Sequence, residues 1–371
     1  MTARRAGVYV HLPFCVSRCA YCTFVTSTRR ELLGRVLAAT CAEIAAGTRG
    51  DPVPAATLYL GGGTPSLVPE GELEELFGVL RHRFAFADGA EITLEANPDD
   101  VSEALLSAWR RLGVTRVSLG VQSFRDEVLA ALDRRHTADQ ARAAAGAVLA
   151  AGFHLSVDLI LALPGVDAPS LRETLAMTVA LRPHHVSVYL LETDKPCPLL
   201  ARQAAELPDA DRAADEYLEA GRSLVAAGFR HYEISNFARS GFVARHNVRY
   251  WTGRPVLAFG VAAHSQAGRR RWANVDDIEE YCRRIERGEA PRAWSRSLAD
   301  DELEKESLML ALRLDRGADA DAVERRRHAS PDFSRRLDDF ITLGLARVVR
   351  GRVRLSPRGW LVSSELLAAL W

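Results

Sequence analysis

The stretch Val8-Tyr9-Val10-His11-Leu12-Pro13-Phe14-Cys15-Val16-Ser17-Arg18-Cys19-Ala20-Tyr21-Cys22 sets the pattern for the whole chain. Residues 8–12 have the size and apolar content of a short strand, and a loop of chemically distinctive residues follows at once. The same order, strand then motif, returns five times. Strand signals at 57–60, 91–95, 114–119, 155–163 and 185–191 lead into further loops. These are Gly61-Gly62-Gly63-Thr64-Pro65-Ser66, Glu95-Ala96-Asn97-Pro98, Gly120-Val121-Gln122-Ser123-Phe124, Leu163-Pro164-Gly165 and Leu191-Glu192-Thr193. Helical patterns occupy 30–46, 70–84, 102–112, 125–132, 139–151, 169–181 and 209–227. Six βα units in a row predict an α/β fold with a parallel sheet and right-handed crossovers, a partial (β/α)6 barrel. Such barrels build their sites from the loops at the carboxyl ends of the strands, so motifs on one rim point to an enzyme or a cofactor binder.

From about residue 299 the pattern changes. Helices are expected at 302–314, 320–328, 331–343 and 363–370, with a hairpin of 346–349 and 353–355 around Gly351. This resembles a winged-helix module. The expected division is therefore a barrel domain over 1–240, an extension and linker over 241–298, and a C-terminal helical domain over 299–371. Nucleic-acid binding by the last part is excluded by charge. Residues 301–371 hold 13 Lys+Arg against 12 Asp+Glu, whereas DNA-binding modules carry a clear basic excess.

The 371 residues balance 48 Lys+Arg against 48 Asp+Glu, with 48% hydrophobic residues. That composition excludes a disordered, collagen-like or disulfide-dense chain. Only Lys195 and Lys305 are lysines, a codon-usage signature beside so much Arg and Ala. No apolar run approaches the roughly 18 residues of a membrane span. Residues 1–7 lead into no signal-peptide apolar region. A cytoplasmic, reducing setting is expected, where clustered cysteines bind metal more often than they form disulfides.

Cys15, Cys19 and Cys22 have the spacing C-x3-C-x2-C. Three thiolates on one loop suit a soft metal or an iron–sulfur cluster. The alternative is a zinc site with His11 as fourth ligand, although structural zinc sites usually use paired C-x2-C units and no second pair exists here. Cys41, Cys197 and Cys282 are expected to be packing residues.

Tyr9-Val10-His11-Leu12-Pro13-Phe14-Cys15, with Cys19, Tyr21 and Cys22, resembles the signature of radical S-adenosylmethionine enzymes of the oxygen-independent coproporphyrinogen oxidase branch. The resemblance extends from about residue 7 to 267 and is closer to the haem chaperone branch. It implies a 4Fe-4S cluster on Cys15, Cys19 and Cys22, whose fourth iron takes the amino and carboxylate groups of S-adenosylmethionine. It further implies contacts to that cofactor from Tyr9, Tyr21, Gly62, Gly63, Thr64, Glu95, Gln122, Arg134 and Asp158. Gly62, Gly63 and Thr64 offer backbone where a side chain would block approach; the alternative is a plain tight turn. Glu95 offers a carboxylate, or an internal ion pair with Arg134. Asp158, in an otherwise apolar strand, is costly to bury without a role.

Coproporphyrinogen dehydrogenases usually carry a fourth Cys where this chain has Phe24, and a long N-terminal extension, whereas 14 residues precede Cys15 here. Decarboxylation of coproporphyrinogen III is therefore expected to be absent; that activity, or other radical chemistry on a tetrapyrrole, is the alternative. Thr23 departs from the Asp usual in the chaperone branch. His246-Asn247-Val248-Arg249-Tyr250-Trp251 resembles that branch's His-Asn-x-x-Tyr-Trp motif. It implies haem as cargo, delivered to haem-accepting proteins such as membrane-associated respiratory enzymes. On that reading His246 ligates haem, Tyr250 and Trp251 stack on it, and Arg245 or Arg249 meets its propionates. The alternative is that His246 and Asn247 pin a loop by hydrogen bonds.

Overall fold

A computed structural model describes residues 5–46 and 50–371; the first four residues of the N-terminal segment lie outside it. Its centre is a run of six neighbouring parallel strands: β1 (Ala6–Leu12), β2 (Val53–Gly62), β3 (Phe84–Ala96), β4 (Arg116–Gln122), β5 (His154–Leu161) and β6 (His185–Leu190). Between and after them come α1 (Leu33–Ala46), α2 (Glu70–Arg83), α3 (Glu103–Arg111), α4 (Asp126–Ala131), α5 (Ala138–Ala150), α6 (Ala168–Ala180), α7 (Pro198–Gln203) and α8 (Ala210–Ala226). Local signals start several helices. Thr137 and Gln140 form a reciprocal capping box on α5, and Ser102, Asp167 and Asp209 cap α3, α6 and α8.

Alternation sorts the strands into two faces. Val8, Val10, Leu58, Leu60, Leu94, Val117, Leu119, Leu155, Val157, Val186 and Val188 join the core shared with Leu73, Leu76, Phe77, Trp109, Val148 and Leu224 of the helices. Each such side chain contributes roughly 1.5–3 kcal/mol when fully buried. The opposite face carries Tyr9, His11, Thr57, Tyr59, Glu91, Thr93, Glu95, Arg116, Ser118, Ser156, Asp158, His185 and Ser187. This inner face is polar, so its groups must satisfy one another.

The sheet continues beyond both ends of the parallel run. β6 pairs antiparallel with β8 (Asn236–Ala238), which pairs with β7 (Arg230–Glu233). On the other edge β1 pairs in parallel with β9 (Val256–Phe259), followed by β10 (His264–Ala267), β11 (Arg270–Asn274) and β12 (Arg292–Ser297). Residues 241–298, expected as an extension and linker, thus supply four strands of the main sheet. They also supply α9 (Arg245–Trp251) and α10 (Ile278–Glu286). Glu91 accepts the α9 backbone N–H groups of Arg245 (3.0 Å) and His246 (2.8 Å), holding this helix against the amino-terminal end of the barrel.

The remaining residues form α11 (Asp300–Leu312), β13 (Ala318–Asp319), α12 (Ala320–Ala329), α13 (Pro331–Thr342), β14 (Ala346–Val349), β15 (Arg352–Leu355), α14 (Pro357–Leu361) and α15 (Ser363–Ala368). Five helices and a three-stranded sheet surround a separate core that includes Leu312, Phe333, Leu337, Val353 and Trp360. Arg230 of β7 grips Asp315 with two hydrogen bonds, and the Arg313 guanidinium sits 5.3 Å over the Trp251 ring.

Candidate cluster and nucleoside site

The carboxyl ends of β1–β6 surround one cleft. Cys15, Cys19, Tyr21 and Cys22 form one wall, with Gly62, Gly63, Thr64, Glu95, Gln122, Arg134 and Asp158 lining the rest. Eleven of the thirteen sequence-derived site residues therefore meet in one place. Tyr9 and His246 do not line it.

The cysteine loop is tied to the rim in two ways. Gly63 N–H donates to Leu12 O and Thr64 N–H to Phe14 O, both at 2.8 Å. A side-chain chain of contacts runs in parallel. Arg134 Nη1 points at Cys19 Sγ (3.4 Å) and its Nη2 donates to Asn97 Oδ1 (2.7 Å) and Gly120 O (2.6 Å). Asn97 donates to Thr64 Oγ1 (3.3 Å), which donates to Cys15 Sγ (3.5 Å). Burial pushes the Cys15 and Cys22 thiols up, opposed at Cys15 by the Thr64 bond and the Arg134 charge.

The glycine run has a packing reason beside its place on the cleft lining. A Cβ on Gly62 would lie 2.5 Å from the His11 ring, and one on Gly63 would lie 2.6 Å from the Pro13 carbonyl carbon. The glycines thus make room for His11 of β1 and for the start of the cysteine loop. Their N–H groups are also committed, Gly62 N donating to Glu95 Oε2 at 3.0 Å. Glu95 makes no ion pair with Arg134; it accepts from Tyr59 Oη at 2.7 Å.

Glu95 and Asp158 are partly buried on the lining of the cleft and face each other's charge. Glu95 is pushed up to about 7, by desolvation first, with Tyr59 and Gly62 pulling back. Asp158 is pushed up to about 6 by desolvation, with hydroxyl donors from Ser187, Ser118 and Ser156 pulling back. Gln122 sits at a bulge in β4 with φ +66°, and its Oε1 is buried without a partner. A left-handed backbone with an unpaired buried acceptor marks Gln122 as a strained position on the cleft lining. Three thiols, two acceptor carboxylates and this free acceptor fit a thiolate-held cluster beside a polyhydroxylated cationic nucleoside.

The zinc alternative fails on His11, whose Nδ1 bonds Tyr9 Oη (3.0 Å) and whose Nε2 bonds Val25 O (2.9 Å). Among the described residues no three His, Cys, Asp or Glu side chains converge on one ion-sized point. Tyr9 supports that histidine from below the cleft. His246 is buried; Nδ1 bonds Thr57 Oγ1 (2.9 Å) and Nε2 faces Tyr250 Oη (3.4 Å). Burial pushes its pKa down to about 3. With both nitrogens engaged it cannot serve as a haem ligand, and the pinning alternative describes it. Trp251 likewise packs under Arg313.

Sequence reading missed Tyr59, Ser118, Ser187 and Tyr189, which also line the cleft. Their signal was the alternation of small polar residues opposite the apolar face of each strand.

The fold and this cleft define a radical SAM protein: residues 9–178 match the radical SAM superfamily model, and the nucleus of the cleft lies within them. The fold is that of coproporphyrinogen III oxidase (HemN) from Escherichia coli, with a TM-score of 0.88 at 23% identity over 99% of this chain and 90% of that one. The chain is 39% identical to heme chaperone HemW of Mycobacterium tuberculosis, over 100% of this chain and 96% of that protein. It is 30% identical to heme chaperone HemW of Bacillus subtilis, over 98% of each. The chain belongs to the HemW family within the radical SAM superfamily.

Proposed function

We propose that this protein holds a 4Fe-4S cluster on Cys15, Cys19 and Cys22, binds S-adenosylmethionine in the adjoining cleft, and carries haem to haem-accepting proteins. The observation that carries the first two parts is the line of contacts from Cys19 through Arg134, Asn97 and Thr64 to Cys15, at the mouth of a cleft lined by two acceptor carboxylates. When bound, such a cluster supplies an open iron position and an electron. The residues of this chain do the rest. Arg134 and Thr64 place a cation and a hydroxyl against two of the thiols. Glu95 and Asp158 accept from hydroxyl and ammonium donors, and Gln122 offers a further acceptor. Ile160, Leu190 and Leu191 exclude water on the far wall.

The relatives named heme chaperone support haem as cargo. Of ten histidines, His82, His264 and His328 are exposed. Among these only His264 stands against an aromatic ring in the described residues, with Trp294 at 6.0 Å and tilted by 63°. Its Nδ1–H donates to Ala262 O (2.8 Å), which leaves the Nε2 lone pair directed elsewhere. Arg296, two residues along β12 on the Trp294 face, is an exposed cation for a propionate, in a surface ion pair with Glu302 at 3.6 Å. Haem-accepting respiratory enzymes are the proposed recipients and the cytoplasm the proposed compartment. All six cysteines are free, and no helix among the described residues is long and apolar enough to cross a membrane.

The test is anaerobic reconstitution followed by separate addition of haem and coproporphyrinogen III. Stoichiometric haem binding with four irons per chain is expected. Protoporphyrinogen formed at enzyme-like rates would replace this reading with an oxidative decarboxylase.

A further inference from the structure

The segment Gly260-Val261-Ala262-Ala263 leads from β9 into the exposed His264 at the start of β10. Its backbone is unusual. Gly260 has φ +97°, and a Cβ there would lie 2.5 Å from the His11 carbonyl oxygen of β1. Ala262 is left-handed, at φ +55°, although it carries a Cβ. A residue with a side chain keeps that conformation only where its surroundings impose it.

Those surroundings centre on Glu43, a half-buried residue of α1. Its Oε2 accepts Gly260 N–H (2.9 Å) and the Tyr281 hydroxyl of α10 (2.7 Å). Its Oε1 accepts from Asn274 Nδ2 of β11 (2.7 Å), which also donates to Gly260 O (2.8 Å). Asn274 N–H donates to Ala263 O (3.0 Å), Ala262 N–H to Val275 O (2.8 Å) and Ala263 N–H to Gly260 O (3.3 Å). The one remaining carbonyl of Gly260, Ala262 and Ala263 is Ala262 O, and it meets His264 Nδ1 at 2.8 Å. All three residues thus have both backbone polar groups bonded. A carbonyl only accepts, so the Nδ1 of His264 carries the hydrogen.

We propose that Glu43 is a positioning residue for haem: it fixes the turn at 260–263 from behind, so that Ala262 O holds the His264 ring with Nε2 facing outward for iron. This deepens the reading of His264 as axial ligand and rests on it. An imidazole that binds a metal needs its other nitrogen held in this way, which sets the tautomer and the ring plane. Three donors converge on Glu43, and an acceptor-only carboxylate suits them where an amide would not. The sheet register places Ala273 opposite both His264 and Trp294, and its small side chain leaves room for the two rings to meet.

Two measurements on full-length reconstituted protein test this. With 15N-histidine, the His264 signal, assigned by its loss in His264→Ala, should show the Nδ1–H tautomer in wild type. Glu43→Ala should move it to a mixture of tautomers, and Glu43→Gln, which keeps one acceptor oxygen, should fall between. Ala262→Val should also give the mixture, because a β-branched residue resists the left-handed region, whereas Ala262→Gly should retain the wild-type tautomer.

Haem titration is the second measurement. Glu43→Ala should weaken haem roughly 10-fold, the lower end of what removing a group behind a metal ligand costs, and shift the Soret band toward that of His264→Ala. In the His264→Ala background Glu43→Ala should add no further loss. Equal losses in both backgrounds, or a wild-type tautomer in folded Glu43→Ala, would mean that Glu43 only packs α1 on the sheet and would sink the proposal. Should Glu43→Ala fail to fold, Ala262→Val decides alone, and a wild-type tautomer there overturns it. Equal haem affinity and spectrum in wild type and His264→Ala would refute the ligand reading and the haem part with it, while the tautomers still decide whether Glu43 sets the ring.

Discussion

The Arg134 guanidinium joins Cys19 to Asn97: one nitrogen faces the sulfur at 3.4 Å and the other donates to the amide oxygen at 2.7 Å. A single side chain thereby ties the cysteine loop after β1 to the loop after β3. The planar fork matters, because two nitrogens serve three acceptors at once.

Replacing Arg134 by Leu should therefore loosen the cluster without removing a ligand. Loss of iron to a chelator should accelerate by roughly 10- to 100-fold, the usual cost of deleting a group that orients metal ligands. Arg134→Lys should fall between, since an ammonium keeps the charge and loses the fork. Iron retention in Arg134→Leu equal to wild type would show that the contact is incidental.

The cysteines separate into two sets. Cys15, Cys19 and Cys22 line the cleft, whereas Cys41, Cys197 and Cys282 are buried elsewhere. Substituting the first three by Ala should abolish both iron–sulfur absorbance and S-adenosylmethionine binding. Cys41→Ser, Cys197→Ser and Cys282→Ser should each retain a full complement of iron and labile sulfide. Full S-adenosylmethionine affinity in the triple variant would disprove the open-iron arrangement.

Stability of the metal-free protein should depend on pH through its desolvated carboxylates. Glu95 and Glu233 are pushed up to about 7 and Asp158 to about 6, in each case chiefly by desolvation. Between their ordinary values and these raised ones the folded chain binds more protons than the unfolded chain. The contribution of these three groups therefore falls as pH rises from about 4.5 to 7, while desolvated histidines with lowered pKa, His136, His231 and His246 among them, contribute in the opposite direction. For Glu95 alone the shift corresponds to about 3 kcal/mol. Thermal unfolding followed from pH 5 to 7.5 should show the Tm of Glu95→Gln rising relative to wild type as pH rises, because only wild type must ionise a desolvated carboxyl. A Tm difference that does not change with pH would mean that Glu95 is not desolvated in solution.

The parallel strands and their motifs were legible because each strand puts an apolar face on the helices and ends in an unusual loop. The polar contacts behind the cleft were not. Ser156, His185 and Tyr232 are unremarkable within their strands, and only closure of the sheet brings them together. α9 was missed because its amino end has no side-chain cap of its own: Ala244 precedes it, and Glu91, 154 residues away from Arg245, takes the free N–H groups. β12 is exposed along its whole length and so shows no alternation to read. α10, by contrast, did carry a signal, since Asp277 caps the N–H of Glu280.

Haem gives the sharpest separation between motif and geometry. His246 is enclosed by Thr57, Tyr59 and Tyr250, while His264 presents Nε2 on the surface beside Trp294. His264→Ala should shift or remove the Soret band of added haem and weaken binding, while leaving iron–sulfur absorbance intact, because β10 is not part of the cleft. Stacking on Trp294 and propionate contacts would remain, so partial loss is the expected result, and the double change His264→Ala with Trp294→Ala should deepen it. His246→Ala should behave in the opposite way. It removes a buried ring and leaves Thr57 without its partner, at a cost of about 1–3 kcal/mol for the unsatisfied hydroxyl alone. Its Tm should drop while the haem spectrum of the folded protein stays that of wild type. A wild-type Soret band in His264→Ala, together with its loss in folded His246→Ala, would require α9 to open and expose His246, and would overturn the assignment.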